Sequence, residues 1–319
     1  MRATAARASA AKFGSSRRRP STGRRGVAAG LLVLCACTHA TPSALPSPSP
    51  ATRPTPTPIS SRLTACPAPA AFSTLPVFAG GLGAPDDLLA LADGTLWVSD
   101  PVHGTLRHLA SGDRALETIF DPDAPEGIAL LPGGRLAVAE QRLNRIVTLR
   151  PPARARTILF ELPSAGAAEG VDGIAYDVHG ARLLVPDSPH GTLVEWPLSG
   201  GGPRTIARDL GRGVGVAVGS DGAIYVVAEA SAGLLRISSG RGEPVGTIAQ
   251  ADDIVAVNGL LYVTLINEGR VVAVDPANGA HRVLVTGIGA EQGLALLPDG
   301  RLAIADSNRG AIALARACA

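Results

Sequence analysis

The hydrophobic and polar positions of this chain repeat every ~40 to 46 residues, which is the period of a propeller blade. Each repeat begins with a short run of small aliphatic residues, which a Gly-containing turn joins to a second aliphatic run. Two further runs follow, in which apolar and polar residues alternate. The clearest copies are residues 124–140 and 292–306, with turns that read Pro-Gly-Gly and Pro-Asp-Gly. Short apolar runs bounded by such turns predict β-strands joined in hairpins.

Six repeats predict an all-β fold, a six-bladed β-propeller with four antiparallel strands in each blade. Five segments qualify as fourth strands, and residues 245–249 are the candidate in the fourth repeat. The last repeat stops after its third strand. Residues 73–78, which precede the first repeat, have the missing pattern. We therefore expect the N-terminal strand to complete the last blade, which would leave no open sheet edge.

The ends of the chain predict three segments. Residues 1–36 hold eight of the 29 Lys and Arg residues and no acid, and their apolar run is too short to span a bilayer, so they predict a signal peptide. The sequence Leu-Cys-Ala-Cys at 34–37 resembles the bacterial lipobox, which implies cleavage before Cys37 and a lipid on its thiol. Ordinary cleavage after residue 40 is the alternative. Residues 37–65 are then a Pro/Ser/Thr-rich linker, and residues 66–319 form the propeller.

Removal of the leader changes the charge and the expected partners. It leaves 21 basic and 27 acidic residues, a net charge of −6, so the chain offers no basic patch for nucleic acid. The leader predicts an extracytoplasmic protein of the bacterial cell envelope, held to a membrane by its lipid anchor. We expect a monomer whose partner is a small molecule or another envelope protein.

Two cysteines remain within the predicted propeller. Cys35 leaves with the leader and Cys37 takes the lipid, whereas Cys66 and Cys318 flank the predicted closure of the ring. An oxidising compartment allows a disulfide between them. Two free buried thiols are the alternative.

Acidic residues recur at the end of the second strand of a repeat: Asp100, Glu140, Asp187 and Asp306. A second strand returns to the face of the ring where the first strand began, so these acids and the residues that start the first strands are expected on one face. Carboxyl groups gathered there favour cation binding or a raised carboxyl pKa. The alternative is that each acid caps its own loop.

The repeat phrases resemble a known family. Glu-Gly-Ile-Ala at 126–129, Asp-Gly-Ile-Ala at 172–175 and the Pro-Asp-Gly-Arg-Leu turn at 298–302 resemble the gluconolactonase, senescence-marker-protein and luciferin-regenerating-enzyme group. They are also similar to NHL-type repeat propellers. The resemblance covers the whole repeat region and implies the six-bladed fold.

The resemblance also implies a divalent metal at the mouth of the central channel, with Ca²⁺ as the expected ion. Carried over by position, the predicted ligands are Glu126, Asp172 and, less cleanly, Asp252. Asp86 and Gln292 occupy the same repeat position and, with the four strand-end acids, form the predicted ligand-binding set. Val214 interrupts this ring, and no Asn occupies any of these positions although the family uses Asn ligands.

Two functions are consistent with these features. The first is a non-catalytic, membrane-tethered propeller that binds a small ligand or a protein at its acidic top face. The alternative is a gluconolactonase-like, metal-dependent hydrolase of a lactone or related ester, in which the metal polarises the carbonyl group and a carboxylate activates water.

Overall fold

Six antiparallel sheets follow one another along the chain, and each contributes four strands to one blade. The computed structural model describes residues 61–319 apart from residues 113, 167, 230–232 and 249, and apart from the side chains of residues 61, 114, 291 and 292. The predicted signal peptide, Cys37 and the linker up to residue 60 lie outside this description. The predicted six-bladed propeller is confirmed.

The described chain begins with a short helix, α1 (Ser61–Thr64), and two short strands, β1 (Ala70–Ala71) and β2 (Val77–Ala79). The strands of blades 1 to 3 are β3 (Leu88–Ala90), β4 (Leu96–Asp100), β5 (Thr105–Ala110), β6 (Arg114–Phe120), β7 (Pro125–Leu131), β8 (Arg135–Glu140), β9 (Arg145–Leu149), β10 (Thr157–Glu161), β11 (Ala175–Asp177), β12 (Arg182–Asp187), β13 (Thr192–Pro197) and β14 (Arg204–Ala207). The strands of blades 4 to 6 are β15 (Gly213–Val218), β16 (Ile224–Ala228), β17 (Leu234–Ser238), β18 (Arg241–Pro244), β19 (Ala251–Val257), β20 (Leu260–Leu265), β21 (Arg270–Val274), β22 (His281–Thr286), β23 (Glu291–Leu296), β24 (Arg301–Asp306) and β25 (Ala311–Arg316). Single 3-10 turns lie at Phe72–Thr74, Gln141–Leu143 and Ser188–His190.

The first strand of each blade contacts the first strands of both neighbouring blades, so the six first strands form a closed ring around an axis. We call them the inner strands. Small aliphatic side chains fill the spaces between blades, as in the cluster that joins Leu106 and Ile119 of blade 1 to Leu136 and Val138 of blade 2. Burial of such residues between adjacent sheets is the main favourable contribution to a fold that contains almost no helix.

The N-terminal strand closes the ring as predicted. β2 pairs antiparallel with β25, with Val77 opposite Ala313, and so becomes the fourth strand of blade 6. This strand is shorter than the predicted segment 73–78, because Leu75 donates a hydrogen bond to the carbonyl of Phe72 and forms a turn there. β1 adds a fifth, parallel strand to the outer edge of β22 in blade 5.

A disulfide joins Cys66 to Cys318, as predicted. Both residues are buried in the cluster that lies between blades 5 and 6. The backbone N–H of Cys318 donates a hydrogen bond of 2.9 Å to the hydroxyl of Tyr262, a fully buried side chain of β20. The bridge therefore fastens both ends of the propeller to its core.

The predicted fourth strand of blade 4 was wrong in its position. The structure places this strand at Arg241–Pro244, not at residues 245–249. Gly246 has a φ of +68°, and a Cβ atom on it would lie 2.7 Å from the carbonyl oxygen of Gly279, so the chain turns here against a neighbouring loop. Val245 and Ile248 are buried between blades 4 and 5 instead.

No helix in the described part of the chain is long and apolar enough to cross a membrane.

We expect the disulfide to stabilise the fold substantially, because it closes a loop with a sequence separation of 252 residues. Replacing both Cys66 and Cys318 by Ser should lower the free energy of unfolding by about 3–5 kcal/mol, measured by urea unfolding. The matched control is Cys37→Ser, which replaces a cysteine that lies outside the propeller. Equal unfolding midpoints for the double variant and the control, or two free thiols in non-reducing mass spectrometry, would contradict the prediction.

Candidate functional site at the channel mouth

Irregular pairing at the start of the inner strands turns their first side chains toward the axis. The pairing of β7 with β8 shifts between Pro125 and Ile128, and that of β19 with β20 shifts between Ala251 and Ile254. β15 and β23 have equivalent shifts. At such a bulge the regular alternation of side chains between the two faces of a sheet is lost. Two consecutive residues can therefore both approach the axis.

The glycine that follows the first repeat position packs directly against the next blade. A Cβ atom on Gly127 would lie 2.6 Å from the carbonyl oxygen of Asp172, so no side chain fits there. Instead, its backbone N–H donates a hydrogen bond to that carbonyl. Three such bonds link inner strands, from Gly127 to Asp172 (3.2 Å), from Gly173 to Val214 (2.7 Å) and from Gly293 to Asp86 (3.2 Å). The repeated glycines are thus a packing requirement, and Glu126 and Asp172, which precede two of them, line the mouth.

A cavity of about 620 Å³, which we call the mouth, opens where the inner strands begin. Apolar side chains of Val102, Ile266 and Ile288 also contribute to its wall. Among the described residues, its charged lining consists of six carboxyl groups and one guanidinium group: Asp86, Glu126, Glu169, Asp172, Glu229, Asp252 and Arg212. The structure therefore brings the three predicted metal ligands and Asp86 together in one cavity.

Arg212 is the cation of the mouth, and sequence reasoning missed it. Its Nε donates to Glu229, and its Nη2 lies 3.2 Å from an oxygen of Asp172 and 3.1 Å from an oxygen of Glu169. Its Nη1 donates to the carbonyl of Glu169 at 3.4 Å. Almost all donors of the guanidinium are thus used within the protein. One signal in the sequence could have revealed this residue. Arg212 comes two residues before Val214, in the one repeat that has an aliphatic residue at the first position.

Asp86 and Glu126, on adjacent blades, share a hydrogen bond between their carboxyl groups. Burial is the main cause that raises the pKa of Asp86 to about 7, although the bond from Glu126 acts in the opposite direction. Burial, followed by the charges of Asp86 and Asp172, raises the pKa of Glu126 well above its ordinary value. The bond between the two carboxyl groups lowers the pKa of Asp86 and raises that of Glu126, so Glu126 is its donor. Its other oxygen, Oε2, is buried and has no hydrogen-bond partner among the described residues.

Burial likewise raises the pKa of Asp172 and of Asp252 well above the ordinary value, and the charges of neighbouring carboxylates act in the same direction. For Asp172 the guanidinium of Arg212 opposes this effect. The mouth thus holds more carboxyl groups than its single cation can neutralise.

A second tier of carboxyl groups, Asp87 and Asp253, lies directly after the first. The backbone N–H of Asp87 donates to Ser99 Oγ at 2.9 Å, and that of Asp253 donates to Thr264 Oγ1 at 2.8 Å. Blades 1 and 5 therefore use the same device, a hydroxyl group on the second strand that holds the start of the inner strand. Burial raises the pKa of Asp253 to about 6 and that of Asp87 well above its ordinary value.

The four acids that end the second strands are buried, and none of them lines the mouth. Each binds its own loop or a neighbouring one. Asp100 accepts a hydrogen bond from the backbone N–H of His103 (2.9 Å), and Asp187 contacts His190 Nδ1 (2.9 Å). Asp306 accepts a hydrogen bond from the backbone N–H of Gly289 (2.7 Å) and binds Arg309. Glu140 binds Arg145 and Arg156. This is the loop-capping arrangement. Gln292 lies in β23, and its side chain is outside the description.

One acidic triad has a spacing that could hold a metal ion. Within the described part of the chain, Asp121, Asp123 and Glu140 are the only group of three carboxylate, His or Cys side chains whose ligand atoms all lie within 4.8 Å of one another. Arg156 binds Asp121 and, at 2.9 Å, Glu140, whereas Arg145 binds Glu140 and, at 3.4 Å, Asp123. Two guanidinium groups therefore already supply the positive charge that a metal would bring.

The mouth fits a divalent ion in donor chemistry but not in spacing. Carboxylate oxygens suit Ca²⁺, and the unpartnered oxygen of Glu126 is a further acceptor. Ca²⁺ takes six to eight oxygen ligands at about 2.3–2.6 Å. No three of the described mouth carboxyl groups come within 4.8 Å of one another, and Arg212 holds Asp172 and Glu229 to itself. The described carboxyl groups of the mouth therefore do not form a preformed three-carboxylate site for calcium.

No protein-family model and no curated protein sequence matches the chain. Solved structures share its fold. A luciferin-regenerating enzyme has a TM-score of 0.64 and 12% identity, covering 75% of this chain and 92% of that one. A predicted gluconolactonase has a TM-score of 0.63 and 16% identity, covering 79% of this chain and 94% of that one. A streptogramin B lyase has a TM-score of 0.59 and 14% identity, covering 77% of this chain and 99% of that one. The resemblance inferred from the repeat phrases is confirmed at the level of the fold.

We expect Asp86 to destabilise the protein as the pH rises from about 4 to 7. A carboxyl group whose pKa rises on folding stays protonated in the folded state while it ionises in the unfolded state, so the free energy of unfolding falls through that window. For Asp86 the window runs from 3.8 to about 7. Replacing it by Asn should raise the free energy of unfolding by on the order of 2 kcal/mol at pH 8 and by little at pH 4, measured by urea unfolding.

The matched control for this measurement is Glu161→Gln, an exposed residue of β10 on the outside of blade 2. A difference between Asp86→Asn and the wild type that stays the same at pH 4 and pH 8 would contradict a raised pKa.

Proposed function

We propose that the mouth binds a small organic cation, a ligand that carries an ammonium group. The observation that supports this most directly is the described lining of the cavity, in which six carboxyl groups face one guanidinium group. Arg212 contacts the acids of blades 3 and 4. The other acids of the mouth, Asp86, Glu126 and Asp252, have raised pKa values, and a cationic ligand beside them would favour their ionised forms.

The size and wall of the mouth favour an organic cation over a metal ion. A volume of about 620 Å³ is in the range of small-molecule sites, which combine apolar walls with a few polar groups. Val102, 74% exposed at the mouth, and Ile266 offer apolar surface to a carbon skeleton. An ammonium group donates three hydrogen bonds and needs no closed shell of ligands. It would bind Asp86 and Asp252, with Glu126 Oε2 as a further acceptor.

Arg212 has a separate role in this proposal. It is an internal cation that offsets part of the charge and holds Asp172 and Glu229 in place. Because its donors are used by these partners, it is not available as an anion site. Loss of its positive charge would make the mouth more attractive to cationic ligands.

A second candidate function is the hydrolysis of a lactone or related ester. The observation that favours it is the hydrogen-bonded Asp86–Glu126 pair, in which burial raises the pKa of Asp86 to about 7 and the pKa of Glu126 well above its ordinary value. Such a pair provides a general base for an attacking water and a general acid for the leaving oxygen. The fold is shared with a predicted gluconolactonase, which is consistent with this chemistry.

We also propose that the propeller is tethered to a membrane of the bacterial cell envelope through a lipid on Cys37. The basis is the leader, the Leu-Cys-Ala-Cys sequence and the Pro-rich linker, all of which precede the described residues. The ligand would then be met outside the cytoplasm, and an envelope protein remains the alternative partner at the same acidic face.

We expect calorimetric titration with small primary amines, putrescine among them, to give binding that weakens as salt rises from 0.05 to 0.3 M. Asp252→Asn should weaken it at least tenfold, because a carboxylate partner is lost, whereas Glu161→Gln should change it less than twofold. Arg212→Gln should strengthen it, since an internal cation is removed. Thermal melts with Ca²⁺, Mg²⁺, Mn²⁺ and Zn²⁺ run in parallel test the predicted metal.

Two results would count against the binding function. If the protein binds none of the amines, the mouth is not a site for organic cations. A divalent ion that raises the melting temperature more than any amine, together with lactone hydrolysis lost in Asp86→Asn, would replace the binding function by the hydrolase.

We expect Cys37→Ser to move the protein from the detergent phase to the aqueous phase in a detergent-partition experiment, because the lipid anchor would be lost. Cys35→Ser is the matched control and should remain in the detergent phase. A wild-type protein that is already aqueous and begins at Thr41 would contradict the anchor.

A further inference from the structure

A second cavity lies on the same axis, beyond the mouth. Its volume is about 450 Å³, and its lining shares no residue with that of the mouth. The walls are the inner strands along their length, with aliphatic side chains such as Leu89, Leu130 and Ile254. Of the lining residues that the structure describes, Asp87 and Asp253 are the only charged ones, and Tyr176 has the only other polar side chain. We call this cavity the lower channel.

Both carboxyl groups of the lower channel are at its upper end, because they begin the inner strands whose later residues form the aliphatic wall. Asp253 is held there by hydrogen bonds from the backbone N–H of Leu294 (2.6 Å) and of Ile254 (2.7 Å). Asp87 reaches across the axis, since its Oδ2 would lie 3.6 Å from a Cβ atom on Gly173 of blade 3. The lower channel is thus polar at one end and apolar along its length.

The apolar end is open. The lower channel shares Ala175, Tyr176, Val218 and Ala256 with a groove of about 760 Å³ on the opposite face of the propeller. A ligand can therefore enter from that face without passing the mouth.

We propose that the lower channel binds an alkylammonium ligand, with its ammonium group at Asp87 and Asp253 and its hydrocarbon chain along the aliphatic wall. A neutral hydrocarbon would bring no positive charge to the two carboxyl groups, and a metal ion would leave the wall without contacts. A cationic amphiphile satisfies both parts of the cavity. The proposal is independent of ligand binding at the mouth, because the two cavities use different residues.

The test is calorimetric titration of the full protein with butyl-, hexyl- and octylammonium. Each buried methylene contributes about 0.8 kcal/mol, so the affinity should rise about fourfold per methylene added. Octanol, which has the same chain without the charge, should bind at least tenfold more weakly than octylammonium. An affinity that does not depend on chain length would overturn the proposal and leave amine binding at the mouth alone.

Variants separate the two cavities. Asp87→Asn should weaken octylammonium at least tenfold, and Ala256→Leu, which narrows the opening, should weaken octylammonium more than butylammonium. Asp86→Asn should weaken putrescine at the mouth while the chain-length dependence persists. Thermal melts check that each variant is folded, and Glu161→Gln is the neutral control. An unchanged octylammonium affinity in both Asp87→Asn and Ala256→Leu would overturn the proposal.

Discussion

The close approach of neighbouring inner strands at their first residues is the contact on which the rest of this structure depends. Gly127, Gly173 and Gly293 each donate a backbone hydrogen bond to the next inner strand, at a separation that leaves no room for a Cβ atom. A glycine is needed there because of this contact with another strand, since none of the three has a positive φ. The contact joins neighbouring inner strands just where Glu126 and Asp172, the residues before two of these glycines, line the mouth.

Convergence of acidic side chains has an electrostatic cost, and the chain offsets it in three ways. Asp86 and Glu126 share a proton. Arg212 supplies an internal cation to Asp172. Asp253 accepts two backbone hydrogen bonds. None of these measures requires a metal ion, which is consistent with a mouth whose described carboxyl groups do not form a preformed three-carboxylate site for calcium.

The sequence alone predicted the repeat, the closure of the ring, the disulfide and the acids that meet at the mouth, because each follows from position within a repeat. It did not predict Arg212, which acts across blades 3 and 4. It also did not predict that Asp86 and Asp87 line different cavities. The start of this inner strand is held by a hydrogen bond from Asp87 N to the hydroxyl group of Ser99 on the second strand, a contact that position within the repeat does not reveal. The misplaced strand in blade 4 had a similar cause, since Gly246 turns against a loop that is distant in sequence.

Blades 1 and 5 show that the residues facing the central channel can differ while the ring of inner strands stays closed. Asp87 and Asp253 stand where the other blades have glycine. In blade 5 the carboxylate of Asp253 itself accepts a hydrogen bond from Leu294 of blade 6, so a side chain takes over the link that a backbone group makes elsewhere. In blade 5 the ring therefore accommodates an aspartate at this position, because its side chain restores the contact between blades. The first two residues of each inner strand can thus alter the chemistry of the channel with little change to the fold.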